Sequence, residues 1–130
     1  MGGSAGNGDV SAHQLVQEVI LGEALENAPL AAVVLDDAGR YVAVNGHACA
    51  LTGYEREELV ELGAAGLDMD ASSLRSRLEA MASRASTGGV SRIRRKDGSE
   101  LRIGFRGGPT TAAGLPFFLV VFWEEAAETG

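Results

Sequence analysis

A chain of 130 residues, 45% hydrophobic and 22% charged, has the size and balance of one globular domain and excludes wholesale disorder. Its net charge of −7 and isoelectric point near 4.7 argue against a nucleic-acid binder, and one cysteine, Cys49, excludes an internal disulfide. No apolar run approaches the roughly 18–20 residues of a membrane span and no secretory signal opens the chain, so a cytoplasmic domain without membrane contact is expected.

Residues 1–10 are glycine-rich and read as a flexible tail. Ser11 with Gln14 makes a capping-box pattern, which predicts a helix over 11–28, ended by Pro29. Its apolar residues include Leu15, Val16, Val19, Ile20, Leu21, Ala24 and Leu25, a stripe too wide for one contact surface. Ala31 to Asp36 and Tyr41 to Asn45 read as two strands around the turn residues Asp36, Asp37, Ala38 and Gly39. His47 to Thr52 lacks the alternation of a strand and predicts a short helix stopped by Gly53. Arg56 to Leu62 predicts another helical turn, with a loop over residues 63–66.

Asp70 or Ser72 can cap a longer helix reaching about Ser86. Leu74, Leu78, Met81 and Ala85 recur on its apolar face, with Arg75, Arg77, Glu79 and Arg84 read as lying off that face. Val90 to Lys96 and Ser99 to Arg106 flank Asp97 and Gly98, a hairpin signal. A three-residue loop over 96–98, with Gly98 left-handed, sets Ile93 opposite Leu101 and Arg94 opposite Glu100. That register buries apolar with apolar and pairs opposite charges, so it is preferred over a two-residue turn. Residues 107–115 read as a loop, and Pro116 to Trp123, apolar on both faces, as a central strand covered on both sides.

In order, Val33, Val34, Leu35, Asp36, Gly39, Arg40 and Asn45 resemble the first hairpin of a PAS (Per-Arnt-Sim) domain. Leu51, Thr52, Gly53, Tyr54, Glu57, Glu58 and Leu59 resemble its helical segment, and Arg94 through Ser99 its later hairpin. The resemblance implies an α+β fold: a five-stranded antiparallel sheet with short helices and one longer helix on one face, plus an N-terminal cap helix. The domain core would then be 29–125 and residues 126–130 a tail. It marks Asp36, Gly39, Asn45, Gly53, Tyr54, Asp97 and Gly98 as family-motif structural residues. It further implies a non-catalytic sensory module acting on a protein effector: a kinase, cyclase, phosphatase or regulator.

Such domains usually enclose a small pocket, and Leu35, Leu51, Met69, Leu74, Leu78, Met81, Ile103 and Phe105 are the candidates to line or fill it. Covalent flavin is disfavoured because residues 61–70 contain neither the cysteine nor the glutamine of light-sensing members. Haem is disfavoured because residues 70–90 contain no histidine. A small apolar ligand and non-covalent flavin stay open, as does a pocketless interaction module.

His47 and Cys49 stand about 200° apart on a helix and cannot share a metal, so no metal site is assigned. Carboxylates lack a partnered acid and base, so no catalytic residue is assigned either. Residues 1–70 hold two basic and twelve acidic residues, whereas 71–130 hold nine and six, so the halves carry −10 and +3. That asymmetry favours protein partners over polyanions. The wide stripe of the first helix needs two surfaces: the domain's own sheet, and a second copy contacted through Leu15, Val16, Val19 and Ile20. Packing on the sheet alone is the alternative to this homodimer.

Overall fold

The computed structural model describes residues 2–83 and 86–126. Helix α1 (Gly2–Glu26) leads into β1 (Ala31–Leu35) and β2 (Tyr41–Val44). Helices α2 (Gly46–Thr52) and α3 (Arg56–Leu67) follow, then a 3-10 turn (Ala71–Ser73) and α4 (Leu74–Ser83). Strands β3 (Thr87–Arg94), β4 (Glu100–Ala112) and β5 (Leu115–Glu124) complete one sheet of order β2-β1-β5-β4-β3, every neighbouring pair antiparallel. The five-stranded α+β arrangement read from the sequence is present, with β5 central. No helix among the described residues is long and apolar enough to cross a membrane.

Several boundaries differ from the sequence reading. Helix α1 extends on the N-terminal side of Ser11. The expected end of α4 near Ser86 passes through residues 84 and 85, which lie outside the described set, as does the expected tail beyond residue 126. Helix α3 continues past the expected loop because Gly63, at φ 69, kinks it, and the freed Ala64 amide donates to the Gly39 carbonyl.

The larger correction concerns residues 107–115, which form no loop. β4 and β5 run on to a two-residue turn in which Ala113 (φ 53) and Gly114 (φ 75) both adopt the left-handed conformation of a tight hairpin. Gly107 pairs within the sheet, and glycine stands there because a Cβ would lie 2.7 Å from Val120 Cγ2 and 2.9 Å from the Leu119 carbonyl oxygen. Pro109 is tolerated because β3 pairs with β4 only as far as Gly107, so beyond that point β4 is an edge strand.

The β3–β4 hairpin has the expected register, Ile93 opposite Leu101 and Arg94 opposite Glu100. Its loop closes through Arg95 N–H to the Ser99 carbonyl, with Gly98 at φ 89. Between β1 and β2 the pairing slips: Val34 faces Ala43, but Leu35 faces Tyr41. This bulge turns both Tyr41 and Val44 into the core and leaves Val42 and Ala43 exposed.

The core lies between the helices and one sheet face, where Val33, Leu35, Leu59, Ile93, Leu101 and Phe122 are buried. The opposite face is not sealed as expected for β5. Phe117, Leu119 and Val121 are only half-buried there and Trp123 is exposed; among the described residues α1 meets this face through its last turn, where Gly22, Leu25 and Glu26 share a groove with Leu119.

Asn45 joins three elements. Its Oδ1 accepts from the amides of Ala32 and Ala48, each at 3.0 Å, capping α2 and holding the start of β1. Its Nδ2 donates to the carbonyls of Leu25 (2.7 Å) and Leu30 (2.9 Å), fastening the end of α1. Substituting Asn45→Ala strands four backbone groups and is expected to cost about 3 kcal/mol in chemical denaturation. Asn45→Asp restores the acceptor without the donor and is expected to recover only part of the loss. An Asn45→Ala variant of wild-type stability would contradict this assignment.

Candidate functional site

Six of the eight sequence-read pocket residues surround one cavity: Leu35 from β1, Leu74, Leu78 and Met81 from α4, and Ile103 and Phe105 from β4. The cavity has a volume of about 70 Å³ and is otherwise walled by Val33, Val120, Phe122 and Ile93 from the sheet and Ala64 and Leu67 from α3. The two remaining candidates lie elsewhere. Leu51 lines a surface groove with Gly53, Arg95 and Asp97, because α2 turns that residue toward the tip of the β3–β4 hairpin. Met69 lines a cleft with Ser91, Arg92 and Arg102, because its amide donates to the Arg92 carbonyl and holds the segment against β3.

Three polar residues that the sequence reading missed also line the cavity: Tyr41, Asp68 and Arg77. Arg77 was read as off the apolar face of α4, yet it lies three residues from Leu74 and four from Met81, within the same helical stripe. Asp68 ends α3, and Tyr41 reaches inward through the β1–β2 bulge.

These polar groups are interlocked. Arg77 Nη1 donates to Asp68 Oδ2 at 2.7 Å, Nη2 to the Asp70 carbonyl at 2.8 Å, and Nε to Ser73 Oγ at 3.2 Å. Asp68 Oδ1 accepts from Ser91 Oγ (3.1 Å) and from the Asp70 amide (2.7 Å). The Arg77 guanidinium also lies 5.8 Å from the Phe105 ring centre, within cation–π range. Burial pushes the Tyr41 phenol well above its ordinary value, the Asp68 carboxylate adds to that, and Arg77 opposes it.

The family-motif positions build turns and caps around this cavity. Asp36 Oδ1 accepts from the amides of Ala38 and Arg40, closing the β1–β2 turn with Gly39 left-handed beside Leu74. Burial works against ionised Asp36, but those amides and the Arg40 side chain hold its carboxyl below the ordinary value. Gly53 is the left-handed C-cap of α2, and Tyr54 packs partly buried against the core. Asp97 Oδ1 accepts from the Ser99 amide and hydroxyl at the hairpin tip. Lys96 Nζ, 2.8 Å from Glu58 Oε2, ties that tip to α3.

Cys49 is half-buried, and burial raises its thiol above the ordinary value, which lowers its thiolate fraction. Among the described residues no three His, Cys, Asp or Glu side chains converge as a metal-ligand set.

The PAS domain family model matches residues 20–85, just over half of the chain. The chain belongs to the PAS domain family. PAS domains are in general sensory signalling modules without catalytic activity. Among solved structures, the PAS domain of an HTR-like protein from Haloarcula marismortui is 22% identical with a TM-score of 0.77, covering 90% of this chain and 98% of that one. A domain of a sensory box sensor histidine kinase/response regulator from Geobacter sulfurreducens is 18% identical at TM-score 0.70, covering 81% and 92%. A light-oxygen-voltage domain studied with a flavin analogue is 21% identical at TM-score 0.65, covering 82% and 84%. No curated protein matches the chain.

A PAS cavity of about 70 Å³ suits a molecule of few heavy atoms, whereas sites for drug-sized ligands run to roughly 300–1,000 Å³. A flavin or haem needs the lining side chains to move apart.

The end of α1 is the second functional feature. Its last turn is held by the Asn45 bond to Leu25 and by Arg56, whose Nη1 and Nη2 meet Glu26 Oε1 and Oε2 at 3.0 and 2.9 Å. Arg56 Nη1 also donates to the Val44 carbonyl at 2.6 Å. The hydrogen bond from Arg56 holds the Glu26 carboxyl below its ordinary value. A depressed carboxyl contributes its stabilisation fully above its unfolded value and loses it as pH falls through the folded one. A carbon-detected NMR titration is therefore expected to show Glu26 protonating below the ordinary carboxylate range, with the Leu25 and Glu26 amides shifting together. Arg56→Gln is expected to return Glu26 to the ordinary range; an unchanged titration in that variant would contradict the coupling.

Proposed function

We propose that this PAS domain is a non-catalytic sensory module that dimerises through α1 and regulates a protein effector according to the occupancy of its cavity. The observation that carries the proposal is the exposure of α1. Leu15, Val16, Val19 and Ile20 are each 58–63% exposed, and only Gly22, Leu25 and Glu26 line the groove against the sheet. The domain's own sheet therefore leaves the stripe open, contrary to the sequence expectation that it would cover one side. A contiguous exposed apolar stripe in water calls for a partner surface, and a second copy offers a matching one.

In this reading α1, expected from the sequence over residues 11–28, is the cap and dimerisation helix and 29–125 the sensing core, within the cytoplasm. The effector is a kinase, cyclase, phosphatase or regulator, in keeping with the sensor kinase among the structural relatives. Cations of the sheet half find partners within the chain: Arg92 and Arg94 meet Glu100, and Lys96 meets Glu58. Those pairs offset part of the basic charge of the sheet half and, with the net charge of −7, favour a protein partner over a polyanion. The cavity supports ligand sensing over a pocketless interaction module. Ligand occupancy would bias the packing of α1 and of the β5 end at Trp123, Glu124 and Glu125.

Sedimentation equilibrium is expected to give a dimer at tens of micromolar, and the double variant Val16→Asp with Ile20→Asp a monomer with unchanged thermal unfolding of the core. A monomeric wild type at high concentration, or a variant that stays dimeric, would contradict the α1 interface. Absorbance and native mass spectrometry test preloading: a visible chromophore or a co-purified mass identifies a flavin or haem at once.

A further inference from the structure

The cavity's polar groups are unequal in what they have left to offer. The Arg77 guanidinium and the Asp68 carboxylate neutralise each other at 2.7 Å, and Ser73, Ser91 and the Asp70 backbone take most of their other bonds. The pair has side chains only 20% and 12% exposed, so it has little free capacity for an incoming charge. Tyr41 differs. It is 93% buried by its 7% exposure, lines the same cavity, and its hydroxyl has no hydrogen-bond partner among the described residues. The hydroxyl is not sealed off from the cavity space, so its donor is left for whatever occupies the cavity, a water or a ligand with an acceptor atom. The remaining walls are aliphatic and aromatic, and half-buried Leu74, Arg77 and Leu78 of α4 form the side toward solvent.

Resting on the sensory reading above, we infer that the cavity selects a small, uncharged, largely apolar molecule bearing one hydrogen-bond acceptor, which the Tyr41 hydroxyl anchors. A carboxylate or an ammonium ion is rejected, because either leaves water for a site whose one charge pair is already closed. A pure hydrocarbon enters more weakly than the matching carbonyl compound, because it leaves the phenol unpaired. The phenol stays protonated across the physiological range, since burial raises it, and so always donates.

The test uses a matched series on the full chain: cyclopentanone, cyclopentane, cyclopentanecarboxylate and cyclopentylammonium, titrated with methyl and amide NMR detection. Cyclopentanone is expected to saturate with shifts at Leu78, Met81, Ile103 and Phe105, and to bind about tenfold more tightly than the other three. Tyr41→Phe keeps the ring and is expected to lose about tenfold for cyclopentanone while leaving cyclopentane unchanged. The wild-type ranking stands by itself should that variant fold poorly. Equal cyclopentanone affinity in Tyr41→Phe, or a charged probe binding as tightly in the wild type, overturns the ligand class while leaving a ligand-binding module intact. Absence of saturable cavity binding by all four overturns both the ligand class and the ligand-sensing reading.

Discussion

The arrangement of this PAS domain depends on one buried amide. Asn45 is 5% exposed, and its side chain makes four hydrogen bonds to backbone groups of α1, the α1–β1 connection, β1 and α2. The amide spends two acceptances and two donations, its full side-chain donor set, on segments up to twenty residues away in sequence. Because both its oxygen and its nitrogen are used, neither aspartate nor leucine of similar shape can replace it. That satisfied junction fixes where the cap helix leaves the domain, and so places its apolar stripe away from the sheet.

The cavity follows from a second local device, the bulge between β1 and β2. Regular alternation would send Tyr41 inward and Val44 outward; the slip between Val34 and Leu35 sends both inward. Val44 then packs beneath the Asn45 junction, and its carbonyl receives Arg56, which also grips Glu26 of α1. Tyr41 reaches the cavity. The wall that meets a ligand and the clamp that holds α1 are thus two residues of the same four-residue strand. This short path gives a physical link between the cavity and the exposed apolar stripe of α1, through a strand whose register is already irregular.

Where sequence and structure agree, independent local signals pointed the same way. The β3–β4 hairpin was legible because apolar pairing, charge pairing and the left-handed preference of Gly98 all select one register. Gly53 was legible as the end of α2, whereas Asn45 reads as the close of a strand and a family-motif residue, and only the structure shows it capping α2. The β4–β5 turn was not, because Ala113 carries no sign of a left-handed conformation, and Gly107, Gly108 and Pro109 imitate a loop. Their reasons are tertiary: close approach to Val120 and an unpaired edge. At the cavity, the apolar face of α4 is visible by period, and Arg77 matches that spacing although its charge sets it apart from the apolar pattern. Leu51 and Met69 are apolar by type, and only the path of the chain shows that they face other surfaces. That Tyr41 and Val44 both face inward could not be read without the bulge.

The central claim is that the cavity and the α1 interface are coupled, and coupling of this kind is reciprocal: a cavity ligand that changes dimer affinity must itself bind the dimer and monomer differently. The most direct measurement is the dimer dissociation constant by sedimentation equilibrium, without ligand and at saturating cyclopentanone, with occupancy verified by NMR. The account predicts a shift of about fivefold or more, absent when the Arg56 clamp is removed as Arg56→Gln. An unchanged dissociation constant at verified saturation would contradict it.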